Sequence, residues 1–68
     1  MRTFDCVFIH KSGQRTVPKR IFAADAQQAA ERFAPECWRA DPSHSVRIEV
    51  EGKVFVVETI VTYRARTE

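Results

Sequence analysis

From Thr3 to His10 the chain alternates. Phe4, Cys6, Phe8 and His10 fall on one side of an extended backbone, with Asp5, Val7 and Ile9 on the other. A period of two, rich in aromatic and β-branched residues, predicts a strand. Both sides are fairly apolar, which suits an inner place in a sheet. "KSGQ" (Lys11 to Gln14) predicts a turn, with Gly13 free to take positive φ. Arg15 to Ala23 then predicts a returning strand. Pro18 within it has no amide hydrogen to give to a ladder, so this strand belongs at a sheet edge.

The period changes at Ala23. Ala26, Ala29, Ala30, Phe33, Ala34 and Cys37 recur at helical spacing and form one stripe. Asp25 is a natural N-cap, and Gln28 three residues later makes a capping-box-like pair with it. Pro35 lacks the helical donor and biases Ala34 away from helical angles. Regular helix is therefore expected to stop near Phe33 or Ala34, followed by a looser turn through Trp38. Trp38 is read as a lid on the core or, if exposed, as a natural binding anchor, and Gln27, Gln28, Glu31 and Arg32 as the solvated outer face.

"ADPSHS" is a loop by composition. Ser45 to Val50 alternates again as a half-exposed strand. Glu51-Gly52 is a short hairpin connection, and Lys53 to Tyr63 reads as the longest strand. In it Phe55, Val57, Val61 and Tyr63 share one face and Val54, Val56 and Ile60 the other. Arg64 to Glu68 reads as a charged, frayed tail. The expected architecture is α+β, in the order β-β-α-β-β: a four-stranded antiparallel sheet with one helix packed on one face.

The length of 68 residues limits the chain to one domain spanning 1–68. So short a chain buries only about 60% of its unfolded surface, leaving a core one side chain deep. Five Phe, one Trp and one Tyr supply bulky material for it, at roughly 150–250 Å² each. Two cysteines are too few for a disulfide scaffold, and Cys6 and Cys37 read as reduced core thiols. The start of the chain shows no signal-peptide pattern and no apolar run approaches a membrane span. The expected location is the cytoplasm, with no membrane partner.

Residues with chemical potential fail on spacing. Cys6 and His10 lie about 13 Å apart along a strand, too far to share one ion. Cys37 and His44 match no common zinc pattern, and "SHS" (Ser43-His44-Ser45) has neither an orienting third group nor an oxyanion hole in view. Phosphate-binding glycine motifs and the zinc-protease motif do not occur in the sequence. Neither catalysis, metal binding nor a cofactor is expected.

Charge is more informative. The net value is only +2, yet Lys11, Arg15, Lys19 and Arg20 occupy a segment from Cys6 to Ala24 with no acid in it. Such cations can contact phosphates or an acidic protein face. On an edge strand they can equally deter sheet-to-sheet aggregation. Arg32 and Arg39 extend this candidate partner-binding surface. A single helix excludes a helix-turn-helix, and the element order excludes a double-stranded-RNA domain or an RRM. Nucleic acid would be contacted through backbone charge alone.

The run "RTVPKRIFAADAQQAAERFAPECWRADPSHSVRIEVEGKVFVVE" resembles the small anti-CRISPR proteins of phages and mobile elements that act on multi-subunit type I surveillance complexes. The resemblance covers Arg15 to Glu58. It rests on Ala23, Asp25 and Ala29 at the helix start, Cys37 just beyond the helix, and "VRIEVEGKVFVV" as the second hairpin. It implies a non-enzymatic inhibitor that docks on a subunit of the crRNA-guided complex and blocks target DNA binding or nuclease recruitment. The mildly basic charge departs from the acidic, DNA-mimicking members of that group. Two other readings stand beside it: a small nucleic-acid-binding accessory protein using the basic hairpin edge, and a homodimeric structural module. The chain is accordingly expected as a monomer or homodimer.

Overall fold

The computed structural model describes residues 1–59 and 64–68. The elements are β1 (Arg2–Ile9), β2 (Lys19–Ala23), α1 (Ala26–Ala40), β3 (Ser45–Val50), β4 (Lys53–Glu58) and β5 (Arg64–Thr67). They form a five-stranded sheet in the order β2-β1-β3-β4-β5, antiparallel at every pairing. The α1 helix packs on one face and touches all five strands. The α+β class with one helix on an antiparallel sheet matches the sequence pattern. The strand count differs: the expected frayed tail pairs with β4 as a fifth strand. Ile60, Val61 and Tyr63, read above as part of a longer fourth strand, lie outside the described residues.

The first hairpin explains the proline. The turn closes through His10 N–H to the Gln14 carbonyl and Gly13 N–H to the His10 carbonyl, both 2.8 Å, with Gly13 at φ +91°. Arg15 bridges Ile9, and Thr16 donates its N–H to the Phe8 carbonyl at 3.0 Å. Beyond it the register shifts by one residue. Val17 and Pro18 together oppose the single Val7 before pairing resumes at Cys6 and Lys19. This bulge takes the residue that cannot donate to the ladder, on the edge strand where it is tolerated. The expected continuous strand from Arg15 is thus reduced to Lys19–Ala23. In the second hairpin Glu51 and Gly52 both take positive φ, 51° and 83°, the conformation of a tight two-residue hairpin turn.

Asp25 caps α1, its Oδ1 accepting from Gln28 N–H at 2.8 Å. Gln28 Oε1 reaches back to Ala24 N–H at 2.7 Å, one residue outside the usual capping box. The helix does not stop before Pro35 but runs on to Ala40. Its 15 residues give a length of about 22 Å, close to the roughly 26 Å of an eight-residue strand. Ten residues would leave the Phe8 and Val46 end of the sheet bare. Burial of Cys37, 2% exposed and following Phe33 and Ala34 on the stripe, holds the helix through a proline that costs it a hydrogen bond.

The core is that stripe against the inner sheet face. Ala29, Ala30 and Ala34 are wholly buried beside Cys6, Ile48, Val50 and Val57, with Phe4, Phe8, Phe33 and Phe55 filling the spaces between. On the open face Val7, Val54 and Val56 are half-buried among ion pairs. Arg15 pairs with Glu49, Arg66 with Glu58, and Arg47 with Glu68 at 2.6 Å. The outer flanks of α1 are not merely solvated. Gln27 Nε2 donates to the Ala65 carbonyl at 3.1 Å, and Glu31 Oε2 accepts from Ala65 N–H at 2.9 Å. Arg32 donates to the Phe22 carbonyl at 2.7 Å. The helix thereby grips both outermost strands.

Phe33→Ala should cost about 3–5 kcal/mol, measured by denaturant unfolding. The free thiols of Cys6 and Cys37 give a second check. Burial first, then the charge of Asp5, pushes Cys6 up to about 11 from 9.0. Burial, then Glu36 and Cys6, pushes Cys37 up to about 12. The native state thus holds these protons more tightly than the unfolded chain. Their contribution to stability should be complete below about pH 9 and be lost as pH rises through the two folded-state values. A thiol reagent at about pH 8 should find no fast-reacting cysteine in the native protein and both in denaturant; fast native reaction would contradict the burial.

Candidate functional site

The six candidate cations do not form one patch. Arg15 pairs with Glu49 of β3 and Lys19 with Glu36 of α1. Arg20 lies 3.9 Å from Asp5 across the β1–β2 ladder, both largely exposed. Arg32 is engaged with the Phe22 carbonyl. The acid-free segment of the sequence therefore meets its acids in space. Chain alternation puts Arg20 and Asp5 on one sheet face, and the stripe's phase turns Glu36 toward Lys19. The expectation of cations without neighbouring acids is corrected for Arg15, Lys19 and Arg20. Exposed pairs of this kind are worth about 0–1 kcal/mol each. Their larger effect is to cancel the local field of the edge.

Lys11 and Arg39 are different. Both are exposed, and neither has an acidic partner within salt-bridge distance among the described residues. Lys11 begins the first turn; Arg39 sits in the last turn of α1, where a cation also complements the helix dipole. The fold brings these segments to the same end of the molecule. There Lys11, Trp38, Pro42, Ser43, His44 and Thr59 line an open groove of about 490 Å³. Trp38 is 41% exposed, so the expected core lid is instead a surface aromatic. Cys37 takes the buried position of that turn, and the continued helix turns the next residue, Trp38, outward.

The groove's walls are held by local bonds. Ser43 Oγ donates to the Ser45 carbonyl at 2.5 Å, and the Thr59 hydroxyl donates to the Ser43 carbonyl. Thr59 N–H donates to the His44 carbonyl at 3.0 Å. These tie the Pro42–His44 loop to the end of β4. Asp41 caps the helix with its N–H on the Cys37 carbonyl at 3.0 Å. Its carboxylate lies 3.8 Å from His10 Nδ1, and the His10 ring packs on Phe8 with centroids 4.4 Å apart. Among the described residues no three His, Cys, Asp or Glu side chains converge as a metal site would need. Cys6 and Cys37 are sealed in the core, away from His10 and His44 at the rim. The Ser43 hydroxyl, used by its own loop, is not poised by His44 as a nucleophile.

Sequence reasoning named Lys11 and Arg39 among the candidate cations and favoured Trp38 as a core lid. Helical spacing does not separate Cys37 from Trp38, since Cys37 lies four residues after Phe33 and Trp38 four after Ala34; the way α1 packs on the sheet buries the first and exposes the second.

No family model, curated protein or solved structure matches this chain.

Proposed function

We propose that this protein is a non-enzymatic binding module that inhibits by covering a partner's surface. The partner proposed is a type I crRNA-guided surveillance complex, whose target DNA binding or nuclease recruitment it would block. The observation that carries the reading is an exposed tryptophan at one end of the molecule, with Lys11 lining the same groove and Arg39 next to it in the chain, both cations without a salt-bridge partner among the described residues. Tryptophan and arginine are the residues most enriched where interfaces concentrate their binding energy. The arrangement of elements from Arg15 to Glu58, which resembles type I anti-CRISPR proteins, selects the partner to test first. Arg15, Lys19, Arg20 and Arg32, spread along the β2 flank, are secondary contacts. Their own partners must be exchanged before they can serve another surface.

Co-purification of tagged protein with type I effector complexes tests the reading. Retention of a complex, lost with Lys11→Glu plus Arg39→Glu, is the expected result. Arg15→Glu plus Lys19→Glu should weaken retention less, because those cations already face Glu49 and Glu36. Changes at the exposed Lys11 and Arg39 should alter unfolding free energy by less than about 1 kcal/mol, so lost binding would not reflect lost folding. Retention of no type I complex would remove the anti-CRISPR reading.

A further inference from the structure

We propose that the rim around Trp38 is a binding site for single-stranded nucleic acid, in which the indole stacks one unpaired base while Lys11 and Arg39 hold the flanking phosphates. This goes beyond surface occlusion by assigning a ligand chemistry to the site. It also moves any nucleic-acid contact away from the basic hairpin edge, where Arg15, Lys19 and Arg20 lie beside Glu49, Glu36 and Asp5.

Three observations converge on it. The first is the exposed indole, 41% accessible on a groove open to solvent. A flat aromatic face accepts any base, and stacking is worth about 1–3 kcal/mol per base. The second is charge. Lys11 lines the groove beside Trp38, and Arg39 follows Trp38 directly in the last helical turn. Asp41, which shares a neighbouring cleft with Lys11, has His10 Nδ1 at 3.8 Å. The third is the lining. Ser43 and Thr59, whose hydroxyl hydrogens are given to loop carbonyls, line the groove with oxygens that can still accept, and His44 adds an imidazole. An acidic peptide would satisfy the cations. It would leave the indole without a planar partner, and among the described residues Trp38 is the one large apolar side chain lining this groove. A duplex, with its bases stacked away, would offer only phosphates.

Trp38 is the sole tryptophan, so its emission reports the site directly. An oligodeoxythymidine of about eight nucleotides, titrated at low salt, should quench that emission to saturation. Two phosphate contacts on a single strand predict a slope of about −1.4 in log K against log salt. Lys11→Ala plus Arg39→Ala should bring that slope close to zero. With a labelled oligonucleotide read by anisotropy, Trp38→Ala should weaken binding about tenfold or more and Trp38→Phe much less. Circular dichroism of each variant verifies the fold. A matched duplex should bind more weakly than the single strand. Absence of quenching, or an affinity and salt slope unchanged in the double variant, would overturn the proposal. So would polyglutamate quenching as tightly as the oligonucleotide, an outcome that would assign the rim to acidic protein instead. Co-purification with a surveillance complex is read separately, so either idea can fail while the other stands.

Discussion

The structure depends on how closely one helix can approach one sheet. Ala29, Ala30 and Ala34 are completely buried, and their lack of bulk brings the α1 backbone down onto β1 and β3. That proximity does two things. It lets Phe4, Phe8, Phe33 and Phe55 fill the remaining spaces from the sides rather than prop the layers apart. It also puts the flanking side chains of α1 within reach of the outermost strands. Gln27 and Glu31 satisfy both backbone groups of Ala65 in β5, and Arg32 satisfies the Phe22 carbonyl in β2. A bulkier stripe would raise the helix and break those bonds together, leaving unpaired edge groups as a template for other strands.

The same geometry separates the molecule's charges into two kinds. Along the sheet, strand alternation and cross-strand register pair most cations with carboxylates. Arg47 and Glu68, and Arg66 and Glu58, arise this way, while Arg2 meets Glu51 of the second hairpin turn. At the end where α1 terminates, no ladder exists to bring acids alongside Lys11 and Arg39. Beside the surface indole, Lys11 and Arg39 therefore leave a local excess of positive charge among the described residues. This place, rather than the basic hairpin, has charge left over for a partner.

Much of the fold was legible in the residues. The alternation of Phe4, Cys6 and Phe8, the Asp25 cap, the alanine stripe and the Glu51-Gly52 turn each respond to local rules, and each element formed where those rules put it. Misreadings arose where a local rule met a tertiary demand. Pro35 is a helix breaker by its own chemistry, yet burial of Cys37 carries the helix past it. Arg64 to Thr67 has no hydrophobic pattern beyond Ala65, and becomes a strand because Gln27 and Glu31 supply its partners. Of the site, Lys11 and Arg39 could be named from charge, but their distinction from Arg15, Lys19 and Arg20 could not. That distinction depends on which acids arrive from strands and helix distant in sequence, information that no segment carries by itself.

The clasp on Ala65 also governs the order in which the molecule can assemble. Its two side chains come from residues more than thirty positions earlier, 38 and 34 by separation, and contacts so distant along the chain close late and slowly. Until α1 has docked, β5 has only β4 to hold it. Before that docking the outer edge of β5 would stand unpaired, the state in which another strand could add to it.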